Sequence, residues 1–553
     1  MRPCHRRPGR VRKAFLLYAF RQKQGKDSAL REPEGYRTLR QNALLPPDQG
    51  VRVGDKIFYI TTPIYYANAP LHIGHAYSTV AADVAKRWQA LRGREVFMLT
   101  GMDEHGEKIY RSALKDGVEP QDWVDRYADD ARKLWSFMNI AYDGFVRTTD
   151  SAHKKTVEEV FRKLRAKGDI YDAEYEGPYC VSCETFFTDQ QVKDAGDSCP
   201  DCGKKITEIK KESALFFRLS AYGDKLLDFY KANPDFLQPS GMANKTMDTV
   251  RRGLKDLCVT RERVTWGIPV PGDPSKTIYV WFDALLNYLS AAGFPADPEL
   301  FSKLWPADCH IVGKEIYYFH TVIWPAMIMA LELPLPQKVY GHGWWTLRDD
   351  KISKSTGNIV TPYEVCGKLH PDILRFFFLR EMPFGTDGAF SLERIEARYI
   401  SDLANPLGNL FKRTEVMIEK YFAGKTPAEG SFDAAILQKQ KETLESFSRS
   451  MDELRFHGAL NALWELVDAA NRFIEDKKPW VMYKEKSPAL NDVLLTLEGC
   501  LEFVTGLLSP FMPVKCAEMA AHIDWEIQMP EPGAVRKGRS IPGGGILFPA
   551  VEK

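Results

Sequence analysis

The sequence has no long hydrophobic run. Its longest uncharged apolar stretch, Val322 to Leu331, contains Pro325 and falls far short of the ~18 residues a membrane span needs. It also has almost no net charge. The 75 basic and 74 acidic side chains leave +1 over 553 residues, so bulk charge does not mark the chain as a polyanion binder. No internal repeat recurs, which excludes solenoids and propellers. The ten cysteines lack the dense spacing of a secreted disulfide scaffold. What is present is 44% hydrophobic and 12% aromatic, enough to bury a large core. At roughly 150 residues per domain, the length suggests three or four domains.

The charge is unevenly spread. Residues 1–50 hold twelve Lys/Arg and four Asp/Glu, and the remainder carries −7. This segment has no sustained helical or strand period. Its apolar run, residues 14–20, is short for a signal core, and no small-x-small cleavage site follows it. Three readings compete: an Arg-rich, acid-poor transit peptide, a basic RNA-touching arm, or an upstream start-site artefact. After Met1 the next methionine is Met98, so a later start would use another codon, such as that of Val51 or Val53. Residues 1–55 are therefore set apart as a basic extension expected to be disordered.

Four cysteines form Cys180-x2-Cys183-x15-Cys199-x2-Cys202. Two Cys-x2-Cys hairpins can each offer two thiolates to a tetrahedral zinc ion. Pro200, Asp201 and Gly203 supply turn chemistry to the second hairpin. No His or carboxylate completes an open three-ligand site, so the zinc is expected to be structural, one ion held by all four cysteines.

Residues 56–62 read as a buried parallel strand, followed by a Pro/Asn/Gly loop and a helix over about 74–91. Residues 95–100 read as the next strand, with helices near 121–138 and 151–167. Strand–helix alternation marks a doubly wound α/β sheet. It breaks at about 170–278, with Cys hairpins, short strands and Pro/Gly turns. It then resumes with a helix after Tyr279, a strand at His310–Val312, a helix over 316–331 and a strand at Lys338–Tyr340. The middle block therefore reads as an insertion between two halves of one nucleotide-binding domain. From about 394 the strand signals fade. Helical period near 394–421, 433–456, 458–477, 490–508 and 512–522 predicts a bundle. The boundaries drawn are 56–168 and 279–345 for the two halves, 169–278 for the insertion, 346–393 for a linking segment and 394–553 for the bundle.

Two motifs carry chemistry. His72-Ile73-Gly74-His75 follows the first strand and opens its helix, where a doubly wound fold binds phosphate. Gly74 lets a flat ring approach the backbone, because there is no Cβ in the way. Lys351-Ile352-Ser353-Lys354-Ser355 lies between Asp349-Asp350 and Thr356-Gly357-Asn358. Two Lys and two Ser on a Gly-bounded loop suit a mobile clamp on transferring phosphates. Either motif alone reads as well as a helix cap or a solvated charge run. Together, on one predicted sheet, they are far more specific.

With these residues the chain, over about 56–550, resembles the methionyl-tRNA synthetases, class I enzymes with His-Ile-Gly-His and Lys-Met-Ser-Lys-Ser signatures. Thr61-Thr62-Pro63-Ile64-Tyr65-Tyr66-Ala67-Asn68, Gly101-Met102-Asp103-Glu104-His105-Gly106 and Tyr279-Val280-Trp281-Phe282-Asp283-Ala284 agree independently. Ile352 stands where the signature usually has Met. Glu315, in Gly313-Lys314-Glu315, stands where many relatives have Asp near the ATP ribose.

The resemblance implies a Rossmann-like catalytic domain, a zinc-knuckle connective insertion and a helical anticodon-binding domain. It implies ATP binding by His72, Gly74, His75, Gly313, Glu315, Lys351, Ser353, Lys354 and Ser355. Of these, His72, His75, Lys351 and Lys354 would carry catalysis, with Mg²⁺ accompanying ATP. It implies a methionine pocket of Ile64, Tyr66, Asp103, Trp281, Ala284, Tyr288, His320 and Trp324, with Asp103 holding the ammonium. A thioether offers almost no hydrogen bond, so selection would rest on shape and sulfur–aromatic contact. Asn409, Arg413 and Trp480 would read the anticodon by hydrogen bonds and stacking. The expected reaction attaches methionine to its tRNAs, elongator and initiator, through methionyl-adenylate. The chain stops soon after the bundle, so a monomer is expected; the expected setting is the cytoplasm, or an organelle if residues 1–50 are a transit peptide. Two rivals remain. A synthetase for another apolar amino acid usually carries a much longer editing insertion. A non-catalytic tRNA-binding paralogue should have degraded signatures, and here both are intact.

Overall fold

In the computed structural model, residues 56–549 are described apart from 182–184, 187–191, 194, 200–201, 207, 263–264, 348–349, 352–359 and 368. The basic extension, Cys183 and most of the Lys/Ser loop thus lie outside the described residues. Among those described, no helix is long and apolar enough to cross a membrane.

The first strand, β1 (Phe58–Tyr66), feeds helix α1 (Ile73–Leu91), then β2 (Val96–Asp103), β3 (Gly144–Arg147) and α2 (Ser151–Ala166). The second half supplies β4 (Leu237–Gln238), α3 (Val280–Leu285), β5 (Cys309–Gly313) and β6 (Val339–His342). Pairing is parallel throughout, in the order β3-β2-β1-β5-β6-β4. The strands are nearly continuously buried, as a sheet covered on both faces requires. Successive β1 residues serve opposite cores: Phe58 and Ile60 pack with α1, whereas Tyr59 packs with Phe97, Phe282 and Trp324. That is the two-residue period of a strand. Pro63 has no N–H for the ladder, and the β1–β2 register shifts between Thr61 and Ile64. The shift lies directly before Ile64 and Tyr66.

The edge strand β4 comes from the stretch read as an insertion, and its pairing with β6 joins that stretch to the main sheet. The rest of the stretch is built on an antiparallel hairpin, Ile170–Cys180 against Glu208–Phe217, with Cys180 at the strand end.

Helix α4 (Pro371–Arg380) leads to the bundle: α5 (Gly408–Phe422), α6 (Ala434–Asp452), α7 (Phe456–Lys477), α8 (Pro479–Lys484), α9 (Ala489–Leu508) and α10 (Pro513–His522). Two helices expected to be regular are not. Residues 399–407 form a widened, π-type turn around Pro406, and Phe319–Ile323 form another before Trp324. A proline inside a helix removes one N–H and clashes with the preceding turn, which widening relieves at Pro406. One hydrophobic core runs without a break from α1 into α7 and α9.

Arg375 on α4 is wholly buried. Its guanidinium donates to Asp83 Oδ2 on α1 at 2.6 Å and to the carbonyls of Pro510 and Phe511 at 3.0 Å each. It ties the first helix of the sheet domain to the bundle.

Candidate active site

Strands β1 and β5 are neighbours, yet their chains turn to opposite halves of the sheet. The crevice beyond their carboxyl ends is where a doubly wound sheet takes its ligand. His72 and His75 lie on the β1 side of it, and Gly313 and Glu315 on the β5 side.

His72 caps α1. The Gly74 N–H donates to His72 Nδ1 at 3.1 Å, and the His72 N–H donates to His75 Nδ1 at 2.9 Å. The two ring centroids are 3.9 Å apart. A nitrogen that accepts carries no proton, so each neutral ring holds its proton on Nε2. Both histidines therefore present Nε2–H donors at a helix N-terminus, which itself favours an anion. A Cβ on Gly74 would stand 2.9 Å from His72 Cε1 and displace the ring. Tyr65 braces the far side. Its ring packs edge-on against His75 at 5.0 Å, and burial pushes its hydroxyl pKa up to about 12, leaving it protonated.

Across the crevice, Glu315 Oε2 accepts from Trp344 Nε1 at 2.7 Å. Lys314 pairs with Asp387 at 2.5 Å and lies 3.8 Å over the Trp344 ring. Sequence reasoning missed Trp344 and Asp387, which belong to no motif.

The Lys/Ser loop starts from a short ladder in which Lys351 pairs with Thr346. Ser353, Lys354 and Ser355 lie outside the described residues, as does the Lys351 side chain. The loop's exit is described: the Ile73 N–H donates to the Val360 carbonyl at 3.0 Å. The first signature is thus tied through its backbone to Val360, five residues beyond the second.

The proposed amino-acid pocket divides into two walls. Asp103 ends β2, opposite Tyr66 in register. Trp281 and Ala284 sit on α3, and Trp281 stacks on Phe319 at 3.8 Å. Deeper in, Tyr288, His320 and Trp324 are buried together, with Tyr288 ring centroids 5.7 Å from His320 and 5.6 Å from Trp324. His320 Nδ1 donates to the Ile316 carbonyl at 3.0 Å, so Nε2 is free of a proton and accepts from the Tyr288 hydroxyl at 2.7 Å. Burial lowers the His320 pKa to about 4 and raises that of Tyr288, so both stay neutral. Behind them His310, its pKa also lowered by burial, accepts from Trp324 Nε1 at 3.2 Å. His310 and Phe319 carry no sequence signal beyond lying on an apolar element.

In the insertion, the Sγ atoms of Cys180, Cys199 and Cys202 lie within 4.8 Å of one another. The Cys180–Cys202 separation is 3.7 Å. Two thiolates bound tetrahedrally at about 2.3 Å stand about 3.8 Å apart, so three of the four expected ligands fit a zinc ion. The fourth, Cys183, lies outside the described residues.

In the bundle, Asn409 and Arg413 fall on α5, and Arg413 pairs with Glu475 of α7 at 2.7 Å. Trp480, on α8, is 37% exposed. Tyr421 and Tyr483 stack at 4.2 Å, setting α5 beside α8.

Comparison with known proteins gives one family. The model for class I (M) tRNA synthetases matches residues 58–415, and that for the anticodon-binding domain of tRNA ligases matches 433–535. The methionine–tRNA ligase of Caldanaerobacter subterraneus is 47% identical over 510 residues, covering 90% of this chain and 79% of that one. That of Clostridium tetani is 42% identical over 508 residues, with the same coverage. The Mycobacterium tuberculosis methionyl-tRNA synthetase bound by methionyl-adenylate superposes with a TM-score of 0.86 at 38% identity, over 89% of this chain and 100% of that one. Its apo form gives 0.80 at 35% identity, over 90% and 99%. This chain belongs to the methionine–tRNA ligase family of class I aminoacyl-tRNA synthetases.

Proposed function

We infer that the protein attaches methionine to tRNA in two steps at the expense of ATP. The observation that supports the reading is the contact between Ile73 and Val360, which ties the first signature to the chain just beyond the second. In the first step the methionine carboxylate attacks the α-phosphate, and pyrophosphate leaves. No side-chain nucleophile is required, so the site works by orientation and by stabilising phosphate charge. The Nε2–H groups of His72 and His75 donate to phosphate oxygens. Lys351 and Lys354 neutralise the pyrophosphate, and ATP enters as its magnesium complex. Gly74 and Gly313 leave room for the nucleotide, with Glu315, Ser353 and Ser355 as further contacts.

Asp103 takes the substrate ammonium. Ile64, Tyr66, Trp281, Ala284, Tyr288, His320 and Trp324 enclose the side chain. In the second step a terminal ribose hydroxyl of tRNA attacks the activated carbonyl. Asn409, Arg413 and Trp480 read the anticodon on elongator and initiator tRNA alike.

Cys180, Cys183, Cys199 and Cys202 hold one structural zinc ion. Thiolate ligation needs reduced cysteine, which suits a cytoplasmic setting. The purified chain should transfer radiolabelled methionine onto unfractionated tRNA and carry about one zinc per chain. Charging of no tRNA by an active adenylate-forming enzyme would overturn the RNA half of the reading. A fully active chain free of zinc would overturn the metal assignment.

A further inference from the structure

His105, Asp283 and His153 form a buried chain that no step above uses. Their exposures are 3%, 1% and 1%. Asp283 Oδ2 meets His105 Nδ1 at 2.7 Å, and Oδ1 meets His153 Nε2 at 2.7 Å. His153 Nδ1 continues to Ser290 Oγ at 2.9 Å. Burial alone would raise the Asp283 pKa, but the two imidazoles outweigh it and hold the carboxyl at about 2. The carboxylate is thus ionised and accepts from both rings.

The chain joins parts that the pocket needs in register. His105 lies two residues after Asp103, where the backbone leaves β2. Asp283 lies on α3 between Trp281 and Ala284, and Ser290 follows Tyr288. The turn holding His105 is fixed independently. The Gly106 N–H donates to the Trp266 carbonyl at 2.9 Å, and Trp266 Nε1 donates to the Glu104 carbonyl at 2.5 Å. Glu104 in turn pairs with Arg147 at 2.7 Å. From the α3 side, the His105–Asp283 bond reaches this turn.

We propose that His105 and Asp283 are positioning residues for the amino-acid substrate. Their imidazole–carboxylate bond sets the distance between Asp103, which takes the ammonium, and the α3 wall, which encloses the side chain. This rests on the methionine-pocket reading above. A buried charge-assisted bond is strong and geometrically specific, and a shift of about 1 Å at a binding group can cost about 100-fold in rate.

The test compares His105→Asn with His105→Gln in methionine-dependent ATP–pyrophosphate exchange. The Asn amide nitrogen stands near the imidazole Nδ1 and keeps the bond to Asp283. The Gln amide reaches the Nε2 position instead. Both are polar and of similar folding risk. His105→Asn should keep the methionine KM within about twofold of the parent. His105→Gln should raise it about 10-fold or more while the ATP KM stays within about twofold. Equal methionine KM values for the two variants, or parallel rises in both KM values, would overturn the proposal. Absence of exchange in the parent protein would instead sink the functional reading. Asp283→Asn, which still accepts one bond but loses the charge, should fall between the two variants.

Discussion

Replacing Tyr288 by Phe probes the deepest part of the pocket. The substitution keeps the ring, which packs 4.3 Å from His310 and 5.6 Å from Trp324. It removes only the hydroxyl that donates to His320 Nε2 at 2.7 Å. His320 cannot recover by protonating, because burial holds its pKa at about 4. Its Nδ1–H is already committed to the Ile316 carbonyl. The variant therefore leaves a buried nitrogen lone pair without a donor, at a cost of about 1–3 kcal/mol. If the ring must sit as it does to shape the side-chain pocket, that cost appears in methionine binding. At 1.4 kcal/mol per factor of ten, the methionine KM in exchange should rise about 5- to 150-fold, with the ATP KM unchanged. A double-mutant cycle with His320→Ala should be strongly non-additive, since each change removes the same bond. A methionine KM within about twofold of the parent, or additive effects, would refute the reasoning.

Arg375→Leu leaves Asp83 paired with Arg87 at 2.7 Å but takes the donor from three backbone carbonyls, those of Met138, Pro510 and Phe511, so it should lower unfolding free energy by about 1–3 kcal/mol in denaturant titrations. The pH dependence has a defined sign. His320 is held neutral with a folded pKa of about 4 against a usual 6.5, so the unfolded chain takes up the proton first. Stability is then unaffected by this group above about pH 6.5 and is lost between about pH 6.5 and 4, by about 3 kcal/mol in all. His310 acts in the same direction. Melts of the parent and of His320→Gln over that range should show a shallower acid loss in the variant. Trp480→Ala should weaken tRNA charging by about 1–3 kcal/mol of lost base stacking, with methionine-dependent exchange unchanged.

Much of this architecture was legible because its signals are local. Residues 56–100 spell a strand, a capped helix and a second strand within one βαβ unit, and the observed elements begin and end within a few residues of those expected. The cysteine hairpins were legible for the same reason, since ligand spacing is a property of adjacent residues. What escaped the sequence depends on distant partners. Strand β4 is two residues long, too short for any period, and exists because Leu237 pairs with Val339. The widened turn before Gly408 contains Pro406, but the helical period over 394–421 does not tell a π-type turn from a regular one. His105, His153 and Asp283 lie 130 to 178 residues apart along their two contacts, so no spacing rule could join them. The Ile73–Val360 bond likewise appears only when the sheet is folded.

The central claim is that one crevice binds ATP and selects methionine. Amino-acid-dependent ATP–pyrophosphate exchange, run on the purified protein with each of the twenty amino acids in turn, tests both halves at once. The account requires exchange with methionine alone. Exchange driven by a different amino acid would contradict the pocket assignment, and no exchange with any, in folded and zinc-loaded protein, would contradict the catalytic reading as a whole.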